Sequence, residues 1–235
     1  MALSAANVVQ AKTGTVTADP APVTLDAGTT VGNTVTVEIS LGGLPIMDGG
    51  MSGKIPAGFE YDACSIAGGG RYQHVFRKRD VADGEGVAGS TSWDFSIGVS
   101  TPWLWRVTEW DTGLEPMSPM DAPPVYNSAT GTSPTTLSTG TIAQGSRNNI
   151  VALCWHLASV PSATSHDWTG HTGGFTERDD IFFSSGASRL GSCWSWAFSD
   201  TPTTFECTAT INADARSASD IFAGLLVVYA ATIYA

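Results

Sequence analysis

The densest run of chemistry-bearing side chains in the chain is His166-Asp167-Trp168-Thr169-Gly170-His171, with Glu177, Asp179 and Asp180 just beyond it. Neutral imidazoles and carboxylates bind a metal when they converge on one point. No pair here has a recognised ligand spacing, so a polar loop between strands is the preferred reading and no metal site is expected. Trp168 in such a loop has the chemistry to stack on a sugar ring or anchor a protein contact, with His166 and His171 flanking it as binding candidates. The competing reading folds the indole back onto the core. Cys154-Trp155-His156 resembles a nucleophile with its base. Residues two apart in a strand share a face but lie about 7 Å apart, too far for a hydrogen bond without reorientation. A satisfied sheet-face histidine is therefore preferred. Asp179 with Asp180, and Glu109 with Asp111, have the look of glycosidase pairs, but a chain with 22 acidic residues produces such pairs by chance. Neither a G-x-S-x-G elbow nor a Walker loop is present. The expectation is a chain with no catalytic residue and no cofactor.

The elements that must carry these residues are strands. From Thr34 to Leu41 apolar and polar residues alternate: Val35, Val37, Ile39 and Leu41 face a core, while Thr34, Thr36, Glu38 and Ser40 face water. Residues 148–157 form a matching second strand. Further strands are read at 7–12, 13–17, 23–25, 71–79, 93–97, 103–110 and 221–229, the last apolar on both sides. A hairpin is expected between residues 191–199 and 204–211. Its register puts Trp194 and Trp196 opposite Ala209 and Cys207, and sends Cys193 and Cys207 to opposite faces, so these two should not bond.

The totals agree with an all-β chain. There are 26 Gly and 12 Pro among 235 residues, hydrophobic residues make up 42%, and no helical apolar period lasts beyond about two turns. The net charge of −11 argues against nucleic acid and acidic membranes as partners. No signal peptide or spanning segment is read, so the four cysteines are expected as reduced, buried thiols. Eight tryptophans are many for one core. Trp103, Trp105 and Trp110 are read as an apolar stripe at a subunit interface.

The second half echoes the first. Ile150 follows Val35 by 115 residues, Phe175 follows Phe59 by 116, Phe205 follows Trp93 by 112 and Leu225 follows Trp105 by 120. One domain is expected, with similar halves at about 1–111 and 139–235 forming a jelly-roll-like two-sheet sandwich. The joining segment 112–138 is read as an ordered surface connection, pinned by Leu114, Met117, Met120, Val125 and Tyr126.

The order Asn7-Val8-Val9-Gln10, Thr29-Thr30-Val31-Gly32-Asn33-Thr34-Val35-Thr36-Val37, Pro56-Ala57-Gly58-Phe59, Phe76-Arg77-Lys78 and Asp83-Gly84-Glu85-Gly86, closed by a final apolar strand, resembles a group of proteins from tailed bacteriophages of actinobacteria. These are β-sandwich minor tail or virion structural proteins. The resemblance implies a virion location, assembly with other tail or capsid proteins, and a homo-oligomer, a trimer among the symmetries open to it. A cell-surface glycan is the ultimate target in that reading. It implies no catalytic residues. The alternatives are a capsid-decorating protein of the same fold and a free carbohydrate-binding module.

Overall fold

The structure, a computed structural model, describes residues 2–42, 55–67, 70–96, 98, 100–116, 124–132, 136–143, 147–185, 188–201 and 203–232. Met117, Met120 and Ile97 lie outside them. The first half supplies β1 (Val8–Val16), β2 (Ala21–Val23), β3 (Thr34–Gly42), β4 (Phe59–Ala67), β5 (Arg71–Lys78), β6 (Trp93–Phe95) and β7 (Trp103–Trp110). After it come β8 (Gly113–Pro116) and β9 (Val125–Thr130). The second half runs through β10 (Thr136–Ala143), β11 (Ile150–Ser159), β12 (His166–Thr169), β13 (Thr176–Ser185), β14 (Ser188–Ser199), β15 (Thr204–Ala213) and β16 (Ile221–Thr232). The only helical element among the described residues is a 3-10 turn at Ala5–Asn7, capped by Ser4. The chain is all-β, as its composition dictates.

Among the described residues the strands form four antiparallel sheets stacked in layers. A five-stranded sheet has the order β1-β7-β3-β5-β4, and a six-stranded sheet the order β13-β14-β11-β16-β8, with β9 also on β16. Outside the first lies the pair β2-β6; outside the second lies the three-stranded sheet β10-β15-β12. Buried hydrophobic clusters fill the gaps between the layers. Val35, Val37, Ile39, Leu41, Trp103 and Trp105 pack under Val23, Trp93 and Phe95. Between the large sheets, Val75 and Trp110 meet Val151, Leu153, Trp155, Trp194 and Trp196. Beyond the six-stranded sheet, Ile150, Ala152, Cys154 and Ala197 meet Phe205 and Cys207.

The two halves share one connectivity. Substituting β9, β11, β13, β14 and β16 for β1, β3, β4, β5 and β7 turns the first large-sheet order into the second. In the same way β2 and β6 correspond to β10 and β15. The residue pairs offset by 112 to 120 positions all fall on, or at the start of, corresponding strands.

This layering corrects several expectations. There are four sheets where a two-sheet sandwich was expected, because each half builds a large and a small sheet of its own. The polar face of β3 is not in water: every residue of the strand is buried, since that face lies against the other half. Residues 7–12 and 13–17 are one strand, β1. Segment 112–138 contributes β8 and β9, which pair along one edge of β16. Leu114 is buried there, whereas Tyr126 is exposed.

The hairpin across residues 199–204 is absent. β14 pairs with β11 and β13, while β15 pairs with β10 and β12, so the chain steps from one sheet to the next at that point. The step buries both apolar faces of β14. Trp194 and Trp196 point toward the first half, whereas Cys193 and Ala197 face the small sheet. Trp103 and Trp105 lie on one face of β7 and Trp110 on the other, all buried, so no exposed stripe forms.

Candidate functional site

Period-two alternation along β11 sends Cys154 and His156 into the gap between the six-stranded and three-stranded sheets, while Leu153 and Trp155 face the first half. In register with His156 on β14 is Cys193, and β15 places Cys207 across the gap. The turn following β12 returns His171 to the same space, its side chain only 3% exposed. His156 Nδ1 lies 3.6 Å from Cys154 Sγ and 4.0 Å from Cys193 Sγ, and His171 Nε2 lies 3.4 Å from Cys193 Sγ. Ser195 and Cys207 meet at 3.6 Å. Among the described residues no cysteine is in a disulfide.

The outer nitrogens fix both imidazoles. His156 Nε2 is 3.2 Å from the Leu137 carbonyl oxygen, which only accepts, so the proton sits on Nε2 and the Nδ1 lone pair faces the thiols. His171 Nδ1 is 3.3 Å from Glu177 Oε2. With its proton held there by the carboxylate, His171 presents the Nε2 lone pair to Cys193. Burial keeps the cluster neutral: it pushes the Cys154 and Cys193 thiols well above their ordinary range and lowers His156 to about 3. A buried neutral thiol beside so weak a base is a poor nucleophile.

Outside His171 stands an acidic group. Carboxylate oxygens of Asp167, Glu177 and Asp180 lie within 4.8 Å of one another. Burial, followed by the shared proton with Asp167, pushes Asp180 up to about 8, and the Trp168 N–H donates to Asp180 Oδ2 at 2.9 Å. At neutral pH this group therefore holds a proton in place of a third negative charge. Glu177 is also raised, first by desolvation.

No family model, curated protein or solved structure matches the chain.

Trp168, read from sequence either as an aromatic at a loop tip or as an indole folded back onto the core, is a fully buried residue of β12, in keeping with the second reading. Its ring lies 5.0 Å from that of His156 and 6.4 Å from that of Phe222, so it has no face to offer a sugar. His166 lies over Gly191, where a Cβ would stand 1.2 Å from the imidazole, with Phe182 at 5.0 Å. His171 alone of the three joins the thiol cluster. Glu109 accepts hydrogen bonds from Thr30, Asn33 and Gln10, and Asp111 accepts from Asn7; both carboxylates serve structure.

The sequence reading missed Cys154, His156, Cys193 and Cys207 as a group. The shared face of Cys154 and His156 was the available signal. Their backbone separation overstated the side-chain distance, and the expected β14–β15 hairpin sent Cys193 and Cys207 apart.

Proposed function

We propose that this chain is a structural component of a bacteriophage particle, a minor tail or tail-tip protein that assembles through its sheet margins. The observation that carries this reading is where apolar surface remains. Of the five large hydrophobic side chains exposed among the described residues, four lie at sheet margins: Val9 on the edge strand β1, Tyr61 and Ile66 on the edge strand β4, and Tyr126 on β9; the fifth, Val31, lies in the turn before β3. Edge strands carry unpaired backbone groups that pair readily with another chain, and apolar side chains there favour such pairing. The resemblance to phage sandwich proteins and the all-β architecture point the same way. Since the tryptophans are buried, assembly uses strand edges.

Two measurements test this. The purified chain is expected to sediment as a homo-oligomer, and the double substitution Tyr61→Lys with Ile66→Lys to return it to monomer without loss of β signal in circular dichroism. Quantitative mass spectrometry of purified particles is expected to find a few copies per particle. A copy number near that of the capsid protein would move the chain to the head as a decoration protein, and absence from the particle would overturn the proposal.

A further inference from the structure

The cluster between the six-stranded and three-stranded sheets has the ligand chemistry of a soft transition-metal site. We propose that His156 Nδ1, His171 Nε2 and Cys193 Sγ bind a thiophilic metal ion, zinc(II) or copper(I), with a fourth position left for an exogenous ligand. This site is independent of the assembly role proposed above.

Three observations carry the assignment. The first is spacing. At zinc bond lengths of about 2.0 Å to nitrogen and about 2.3 Å to sulfur, tetrahedral ligands lie about 3.3–3.8 Å apart. Cys193 Sγ lies 3.4 Å from His171 Nε2 and 4.0 Å from His156 Nδ1, and the ligand atoms of His156, His171 and Cys193 all lie within 4.8 Å of one another. Metal uptake thus needs only small side-chain adjustments.

The second is the outer partner of each imidazole. A metal-bound histidine gives its other N–H to a carbonyl or carboxylate, which sets the tautomer and sharpens the ligand. His156 has the Leu137 carbonyl and His171 has Glu177, so both rings already turn a lone pair inward. An ordinary core histidine needs one such partner to satisfy it; two rings turning their lone pairs onto one thiol is the arrangement a metal requires.

The third is the route in. The carboxylates of Asp167, Glu177 and Asp180 stand outside His171, with Asp167 exposed and the Glu177 side chain 35% exposed. Cations are drawn there, and Glu177 connects that group to the inner site. Cysteine and histidine together favour zinc or copper(I) over magnesium or calcium, which take oxygen ligands. The Cys193 thiol releases its proton to solvent on coordination, so uptake of zinc(II) sets one proton free and leaves a formal charge of +1, which the acidic group outside His171 offsets.

The test is a cobalt(II) titration of the reduced, metal-stripped chain, followed by displacement with zinc(II) and, without oxygen, with copper(I). Tetrahedral ligand-field bands and a thiolate-to-cobalt charge-transfer band are expected, saturating at one ion per chain and lost on adding either competitor. Zinc should also raise the melting temperature in proportion to the logarithm of its concentration. Cys193→Ser should abolish the charge-transfer band or shift it markedly. Glu177→Gln, which leaves the ligands in place, should weaken binding about 10- to 100-fold. Cys64→Ser, on β4 and outside the cluster, should change nothing. If the folded wild-type chain binds neither cobalt, zinc nor copper(I), the proposal fails, with no variant needed to decide it. Loss of the band in Cys64→Ser or Cys207→Ala, or its full retention in Cys193→Ser, would overturn the ligand set.

Discussion

Removing the Trp168 side chain tests how the small sheet is held to its large neighbour. Its indole packs among His156, Phe222, Leu137 and Ala209 without solvent contact. A Trp168→Ala chain should lose about 3–5 kcal/mol of stability, read as a lowered urea midpoint, since so large a void cannot close. A loss under about 1 kcal/mol would mean that the indole is not in the core. His74 offers a second test at this scale. It is buried on β5 among Tyr61, Tyr72 and Phe76, its ring nitrogens have no hydrogen-bond partner among the described residues, and burial holds it at about 4 against an ordinary 6.5. Above pH 6.5 neither the folded nor the unfolded state carries the proton. As pH falls toward 4 only the unfolded chain takes it up, so stability drops by up to about 3 kcal/mol over that window. The acid slope of His74→Leu should be smaller by about one proton; an unchanged slope would refute the assignment.

Among elements, the margin where β4 and β5 meet β8 and β16 holds the main ionic knot. Arg77 bonds Glu60 at 2.6 Å, Asp62 at 3.3 Å, and both Glu115 and the Leu114 carbonyl on β8, while the Tyr229 hydroxyl of β16 donates to Asp62. Arg77 and Asp62 side chains are each 3% exposed, so removing one partner strands a buried charge. Arg77→Leu should cost about 3–5 kcal/mol near neutral pH, and less in acid, where Asp62 takes up a proton. A cost that does not shrink in acid would mean that packing, not charge, was lost. Arg79, more exposed, contributes little by the same reasoning. Strands with a period-two alternation were legible in the sequence, as in β3 and β6, because that period records local backbone geometry; β4, β10, β12 and β13 were not read as strands. Which sheet a strand joins was not legible: Ser199 to Thr204 reads as a hairpin turn whether β15 pairs β14 or crosses to the next layer. The thiol cluster depends on that choice, so it stayed hidden.

At the scale of the molecule, two halves of one connectivity are stacked through their large sheets, and on the first half's side of the seam polar residues surround Val75, Leu104 and Trp110. Arg106 on β7 pairs with Glu38 at 3.3 Å and donates to the Ser192 hydroxyl of β14 at 3.0 Å, while the Trp110 indole donates to Thr36. Burial pushes the Glu38 carboxyl above the ordinary carboxylate range, and Arg106 offsets that shift only in part. This is the face that sequence alternation assigned to water: its residue types suit water, and only contact with the other half hides them. Its polarity matters most during synthesis. The five-stranded sheet can close once β7 has left the ribosome, whereas the six-stranded sheet must wait for β16, its link between β11 and the earlier β8 and β9. For that interval the first half stands alone with Thr34, Thr36, Glu38, Ser40 and Arg106 hydrated around Val75, Leu104 and Trp110 on its bare side. A purely apolar seam would expose each nascent chain to its neighbours on the same message; this one keeps the unfinished protein dispersed until its own second half arrives.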